Sequence, residues 1–232
     1  MNIVLFDIDG TLTRSGGAGR KAFDKVFSRL YQEKDASEGL EFAGKTDPVI
    51  IQDIFRARLN RIPSENELIR IKKSYLKMME DEVRSVKPYQ PIEGITDLLK
   101  VLSVSEHLML GLATGNFRES AFLKLQSAGL RKFFTFGGFG SDSPNRSELT
   151  RLGIERGKKL IPFHEKLEKA FVVGDTPHDI EAGKAAGAIT IAMLTGSASR
   201  DEILKPGPDH ILSGYSPVEE FLHIVNGHEK SN

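Results

Sequence analysis

Two aspartates stand two positions apart near the start of the chain, in Asp7-Ile8-Asp9-Gly10-Thr11. Carboxylates so placed can divide covalent group-transfer chemistry between them, one as nucleophile and the other as proton donor and acceptor. Brought close together they repel, so one must carry a proton or a cation must sit between them. The same five residues are equally compatible with an Asx-turn closing a strand. The pair follows directly on the apolar run Ile3-Val4-Leu5-Phe6, which reads as a strand buried on both faces of a parallel sheet. Ligands of such sheets bind at the carboxyl ends of the strands. Residues i and i+2 at a strand end point to one side, and Gly10 lets the chain turn where a side chain would obstruct it.

Other apolar runs also end in polar residues. Residues 108–113 lead into Thr114, and residues 170–173 into Gly174-Asp175. In a parallel sheet Asp7, Thr114 and Asp175 share one edge, a convergence that needs three separate accidents to arise by chance. The intervening pattern supports such a sheet. From residue 92 helix and strand signals alternate: helix over 95–102, strand over 108–113, a helix through Ala121, Phe122 and Leu125 opened by an Asn116/Glu119 capping pair, and strand over 133–136. Helix over 148–160 and strand over 170–173 follow, then a helix opened by Pro177 and stopped by Gly187, and strand over 189–194. A short helix capped by Ser199 and Glu202, an edge strand over 210–212 and a last helix capped by Ser216 and Glu219 complete the chain. Alternation of this kind predicts a parallel sheet with helices on both faces.

Residues 20–86 read differently. Ala22, Phe23, Val26, Phe27 and Leu30 fall on one helical stripe. Asp47-Pro48 reads as an N-cap followed by proline at the first helical position, with Ile50, Ile51, Ile54 and Phe55 as the apolar face. Ser64 and Glu67 form a capping box for another helix. Glycine-rich residues 13–19 lack the Gly-Lys-Ser/Thr of a phosphate loop and read as a hinge. Lys87-Pro88-Tyr89-Gln90-Pro91 is the proline-marked return. The chain thus reads as an α/β core of residues 1–13 and 89–232 with an inserted all-helical segment, residues 14–88.

Composition narrows the function. The 232 residues carry 32 Lys+Arg and 32 Asp+Glu, with no net charge, which argues against a nucleic-acid binder. There is no cysteine, so thiolate chemistry and disulfides are excluded. The first apolar run is too short for a signal peptide and no run is long enough to span a membrane; a cytoplasmic enzyme is expected. His107, His164, His210, His223 and His228 show no metal-ligand spacing, and His178 reads as a helix-start residue.

Taken together, the sequence resembles the haloacid dehalogenase superfamily, in its phosphoglycolate phosphatase and β-phosphoglucomutase-like subgroup. Asp7, Asp9 and Thr11 match the first motif, Thr114 the second, and Gly174, Asp175 and Asp179 the fourth. Arg146, in Pro144-Asn145-Arg146-Ser147-Glu148, is taken as the third-motif basic residue; Lys158 and Lys159 fall too late. The resemblance implies a doubly wound parallel sheet with a helical cap. It implies a phosphomonoester phosphatase in which Asp7 attacks phosphorus, forming an aspartyl-phosphate, and Asp9 is the acid and base. Thr114, Gly115, Asn116 and Arg146 would hold the transferring group. Asp7, Asp175 and the backbone carbonyl of Asp9 would bind Mg2+, with Asp179 in its outer shell. Gly44-Lys45-Thr46-Asp47 resembles the loop that selects the substrate, with Lys45 as its contact. The expected substrate is a small phosphorylated metabolite, with no nucleic acid and no membrane as partner. A phosphomutase using the same intermediate, and a non-catalytic phosphate-binding or regulatory protein, are the alternatives.

Overall fold

The buried run at the start of the chain becomes the first central strand of the sheet. In the computed structural model, which describes residues 1–14, 16–85 and 90–227, with the backbone alone of Ser85, the elements follow in this order. They are β1 (Asn2–Phe6), β2 (Thr13–Arg14), α1 (Ala18–Tyr31), α2 (Asp47–Leu59), α3 (Glu65–Ser85), β3 (Gln90–Pro91), α4 (Ile95–Ser103), β4 (Leu108–Thr114) and α5 (Arg118–Ser127). Then come β5 (Phe136–Phe139), α6 (Arg146–Lys158), β6 (Ala170–Gly174), α7 (Pro177–Ala185), β7 (Ile189–Met193), α8 (Arg200–Leu204), β8 (His210–Leu212) and α9 (Val218–Asn226). Six strands form one parallel sheet in the order β5-β4-β1-β6-β7-β8. Alternate residues of β1 are buried on opposite faces. Val4 and Phe6 pack with α4, α5 and α9 side chains such as Leu98, Leu125 and Phe221, whereas Ile3 and Leu5 pack with Leu149 and Ile154 of α6. Both faces are therefore covered, as the unbroken hydrophobicity of the strand requires. This is the expected doubly wound fold. Among the described residues no helix is long and apolar enough to cross a membrane.

The third large strand lies three residues later than expected, at Phe136–Phe139 rather than 133–136. Phe133 closes a 3-10 turn, Arg131–Phe133, and Phe134 turns into the core edge-on to Phe6, 6.1 Å between ring centres. Aromatic residues signal burial equally in either register. The glycines decide it: a methyl group on Gly138 would lie 1.7 Å from the Leu149 carbonyl of α6, so only a glycine strand admits that helix.

Helices α1–α3 share a core of their own in which Phe23 stacks on Tyr75 at 4.1 Å. They are inserted between β2 and β3, a two-stranded antiparallel ribbon that pairs Thr13 with Pro91 and Arg14 with Gln90 and was not expected. The ribbon joins the outgoing and returning chain. Helix α1 begins at Ala18, inside the expected glycine hinge. Ser15, residues 86–89 of the expected return and His228 lie outside the described residues.

Three expected helix caps fall one residue away from their sites. The N-caps of α5 and α9 are Phe117 and Pro217, so Asn116 and Ser216 stand one position too early. That of α2 is Thr46, and Asp47 serves another helix. Its Oδ2 accepts from the backbone N–H of Phe117 at 2.7 Å and from Ser120 Oγ at 3.4 Å, while its own N–H donates to the Gly115 carbonyl at 2.8 Å. Asp47 thus caps α5 from across the boundary between the helical insertion and the sheet. The expected Ser64 and Ser199 capping bonds are present.

Burial raises the Asp47 pKa from 3.8 to about 6, against the opposing charge of Lys124. Folded protein therefore holds a proton that unfolded protein has lost, and this group's contribution to stability falls as pH rises from about 4 to about 6. Asp47→Asn keeps a capping oxygen and removes the charge. Its stability in urea relative to wild type should rise between pH 4 and pH 7, by up to about 3 kcal/mol; a difference independent of pH would contradict the assignment.

Candidate active site

Sheet order brings the polar ends of three strands side by side. Phe6 of β1 pairs with Leu112 of β4 and with Val173 of β6, and the Asp7 N–H donates to the Val173 carbonyl at 2.9 Å. Asp7, Thr114 and Asp175 are thereby gathered on one edge, and all three are buried. Asp179, in the first turn of α7, joins them: carboxylate oxygens of Asp7, Asp175 and Asp179 lie within 4.8 Å of one another.

Each carboxylate has its own support. Thr11 Oγ1 donates to Asp175 Oδ1 at 2.6 Å. Methyl groups on Gly10, which sits at φ +89, or Gly196 would fall 2.3 and 1.7 Å from Asp175 Oδ2, so both loops close on it only as glycine. Asp179 Oδ2 accepts from the Thr176 N–H and Oγ1 at 3.0 and 2.6 Å, the capping box that starts α7. Arg146 spans the cluster. Its Nη2 is 2.9 Å from Asp7 Oδ1 and 2.5 Å from Asp179 Oδ1, and its Nε donates to the same Asp179 oxygen at 3.0 Å. It is placed there by Asn145, whose Oδ1 accepts from the N–H groups of Ser147 and Glu148 and so opens α6.

Burial raises the Asp7 pKa to about 7, opposed by Arg146 and reinforced by Asp179 and Asp9. Asp175 is raised well above 3.8 by burial and then by repulsion from Asp179 and Asp7. Burial works against the charge of Arg146, but Asp179 and Asp7 outweigh it and its pKa is raised.

Asp9 faces elsewhere. Its Oδ2 accepts from Asn116 Nδ2 at 2.9 Å and lies 2.5 Å from Lys124 Nζ. Asn116 also donates to Thr114 Oγ1 at 2.8 Å and accepts from Lys124 at 2.5 Å. The two carboxylates of the first motif thus meet different cations. Sequence reading overlooked Lys124. The signal is its spacing: on α5 it lies three residues after Ala121 and next to Leu125, both inward-facing.

Above the cluster lies a cavity of about 830 Å³, lined among others by Asp7, Asp9, Lys45, Asn116, Lys124 and Arg146. The helical insertion forms its far wall and touches the sheet edge through residues 44–47. Arg146 Nη1 donates to the Gly44 carbonyl at 3.0 Å, and a methyl group on Gly44 would strike His178 at 2.4 Å. One on Gly115 would come within 2.3 Å of the Lys45 carbonyl. Lys45 lines the cavity while its ammonium is paired with Asp53 of α2 at 2.7 Å. His178, at the start of α7, also lines the cavity.

Fold and acid-walled cavity together define a doubly wound α/β enzyme. Residues 4–193 match the family of haloacid dehalogenase-like hydrolases, and the chain belongs to that family. It is a hydrolase of the phosphatase type, as the first and fourth motifs implied. It is similar to a phosphoglycolate phosphatase of Aquifex aeolicus, 28% identical over 232 residues that cover 97% of this chain and 99% of the relative. It is also similar to the pyrophosphatase PpaX of Listeria welshimeri, 27% identical over 228 residues and 97% of each chain. Among solved structures, CbbY from Rhodobacter sphaeroides in complex with xylulose-(1,5)bisphosphate superposes with a TM-score of 0.71 at 19% identity, covering 93% of this chain and 95% of that one. That likeness is one of fold.

Removing one partner of a buried charge cluster leaves the others uncompensated, which costs roughly 3–5 kcal/mol. Arg146→Met should lower stability to urea by that order at pH 8. A loss under about 1 kcal/mol, the value of an exposed pair, would show that Arg146 does not balance the cluster.

Proposed function

We propose that this chain is a cytoplasmic, Mg2+-dependent phosphomonoester phosphatase that works through an aspartyl-phosphate on a small phosphorylated metabolite. The observation that carries this is the placement of Asp7: a carboxylate at a strand end, on a cavity wall, 2.9 Å from an arginine nitrogen, with a second carboxylate two residues on. Asp7 attacks phosphorus as the ester P–O bond breaks, and Asp9 gives its proton to the leaving oxygen. Water then attacks phosphorus, the bond to Asp7 breaks, and Asp9 takes the proton. Thr114, Gly115, Asn116 and Arg146 hold the phosphoryl oxygens; the planar fork of arginine suits them.

The donor set fits a hard divalent cation, being all oxygen and buried. Two of its carboxylates have pKa values raised by burial first and also by their acidic neighbours, and a cation among them would oppose both effects. Asp7, Asp175 and the Asp9 carbonyl would hold Mg2+, with Asp179 outside them. Such a cation offsets the repulsion between nucleophile and phosphate, about 4 kcal/mol for unit charges 4 Å apart at an effective dielectric of 20. Residues 14–88 serve as a cap over the core of residues 1–13 and 89–232. Its loop at residues 44–47 excludes water, and Lys45 exchanges Asp53 for the substrate. The names of two relatives, a phosphoglycolate phosphatase and a pyrophosphatase, support a small, anionic phosphorylated substrate.

Asp7→Asn should fold as wild type and release no phosphate from a panel of phosphorylated metabolites; near wild-type release would exclude Asp7 as nucleophile. Metal dependence carries a pH signature. Without metal, the Asp7 pKa stands at about 7 when folded against 3.8, so this group's contribution to stability falls as pH rises from about 4 to about 7. At pH 5.5 Mg2+ must displace the proton; at pH 8 it need not. The gain in Tm on adding Mg2+ should be larger at pH 8 than at pH 5.5 and should shrink in Asp7→Asn. An equal gain at both pH values would place the metal elsewhere.

A further inference from the structure

We propose that Lys124 is a positioning residue: with Asn116 it fixes the carboxyl group of Asp9 at the cavity wall, in the orientation from which that group exchanges protons with the reacting oxygens. This rests on the reading of Asp9 as acid and base. An aspartate in a strand-to-loop turn is ordinarily held by its own turn, its carboxylate accepting a backbone N–H two residues on. Asp9 is not: its Oδ1 is buried and has no hydrogen-bond partner among the described residues. The groups that set its rotation come from another strand end and another helix. Lys124 Nζ and Asn116 Nδ2 both reach Oδ2, at 2.5 and 2.9 Å, and Lys124 also donates to Asn116 Oδ1 at 2.5 Å. Three side chains close a triangle, so Asp9 cannot turn without giving up two bonds at once.

Lys124 is itself 3% exposed, among the inward residues Ala121 and Leu125 of α5. Burying an ammonium there costs free energy that a leucine would not. Holding the helix to the sheet does not require it; orienting a carboxyl group does. Lys124 also lies near Asp47, whose pKa it opposes, so the test must separate positioning from plain charge balance.

A misplaced general acid hurts poor leaving groups, which need the proton, and spares good ones. The measurement is kcat/KM over phosphate monoesters, from alkyl phosphates to 2,4-dinitrophenyl phosphate. Lys124→Met should lose about 10²-fold on alkyl phosphates and less than about 3-fold on 2,4-dinitrophenyl phosphate. Asp9→Asn, run on the same series, tests the underlying reading. If Asp9→Asn shows no such leaving-group dependence, the acid–base reading fails. If Asp9→Asn shows it, while Lys124→Met loses equally on all esters or on none, Asp9 stands and the role of Lys124 is overturned. The chain has no cysteine, so Lys124→Cys carries the sole thiol. Alkylation with 2-bromoethylamine in denaturant, followed by refolding, restores an ammonium at this place and should restore activity on alkyl phosphates; alkylation with iodoacetamide should not. This pair decides the matter even if Lys124→Met does not fold. Equal activity of the two alkylated forms on alkyl phosphates would overturn the proposal.

Discussion

An ionised carboxylate taken out of water costs several kcal/mol after every relaxation the protein can offer, and here Asp7, Asp175 and Asp179 are gathered within 4.8 Å. The local sequence around the sheet edge answers that cost. Arg146 lies between two of the three, Thr11 donates to the second and the α7 capping box to the third. Gly10 and Gly196 bring backbone so near Asp175 that no side chain fits. A capping box, a threonine and two glycines have separate sequence explanations, yet each also helps to keep one carboxyl group in place. What remains uncompensated appears as the raised pKa values of Asp7 and Asp175.

The same economy ties the helical insertion to the sheet. Arg146 contacts both the acid cluster and the Gly44 carbonyl, so the group that balances the site also holds the helical insertion against it. Asp47 does likewise at the other side, capping α5 from α2, and α5 is the helix that carries Lys124. Opening the insertion away from the sheet would free an arginine nitrogen, a helix terminus and a buried carboxylate together. The seating of the insertion on the sheet and the electrostatics of the site are therefore coupled through shared side chains.

Much of this could be read from the chain alone, for definite reasons. Strand ends were legible because continuous apolar runs stop at Asp7, Thr114 and Asp175, and a parallel sheet aligns their ends. The register of β5 was not, because Phe133, Phe134 and Phe136 are equally apolar and only the approach of α6 to Gly138 separates them. Three caps were misplaced by one residue, and at Asn116 and Asp47 the displaced side chain was needed elsewhere. Asn116 serves Asp9 and Thr114, and Asp47 serves α5. Local rules fail where a tertiary partner claims the residue, and those partners cluster at the site. The β2–β3 ribbon was invisible because each strand has two residues, too few for any period.

Two carboxylates two residues apart in one motif begin with the same intrinsic chemistry, and a division of labour between them requires different surroundings. The fold supplies the difference by sending them to opposite partners. Asp7 is buried beside two other acids and meets a guanidinium, which is planar and matches phosphate as readily as carboxylate. Asp9 is one-third exposed and meets an ammonium and an amide from α5 and the end of β4. An arginine that already bridges carboxylates can pass to phosphoryl oxygens of similar geometry without leaving its place. A lysine locked between Asn116 and Asp9 has no such freedom and can only hold what it holds. That asymmetry, one cation suited to exchange and one to anchoring, is what would let the first aspartate take a bond to phosphorus while the second trades protons and keeps its position.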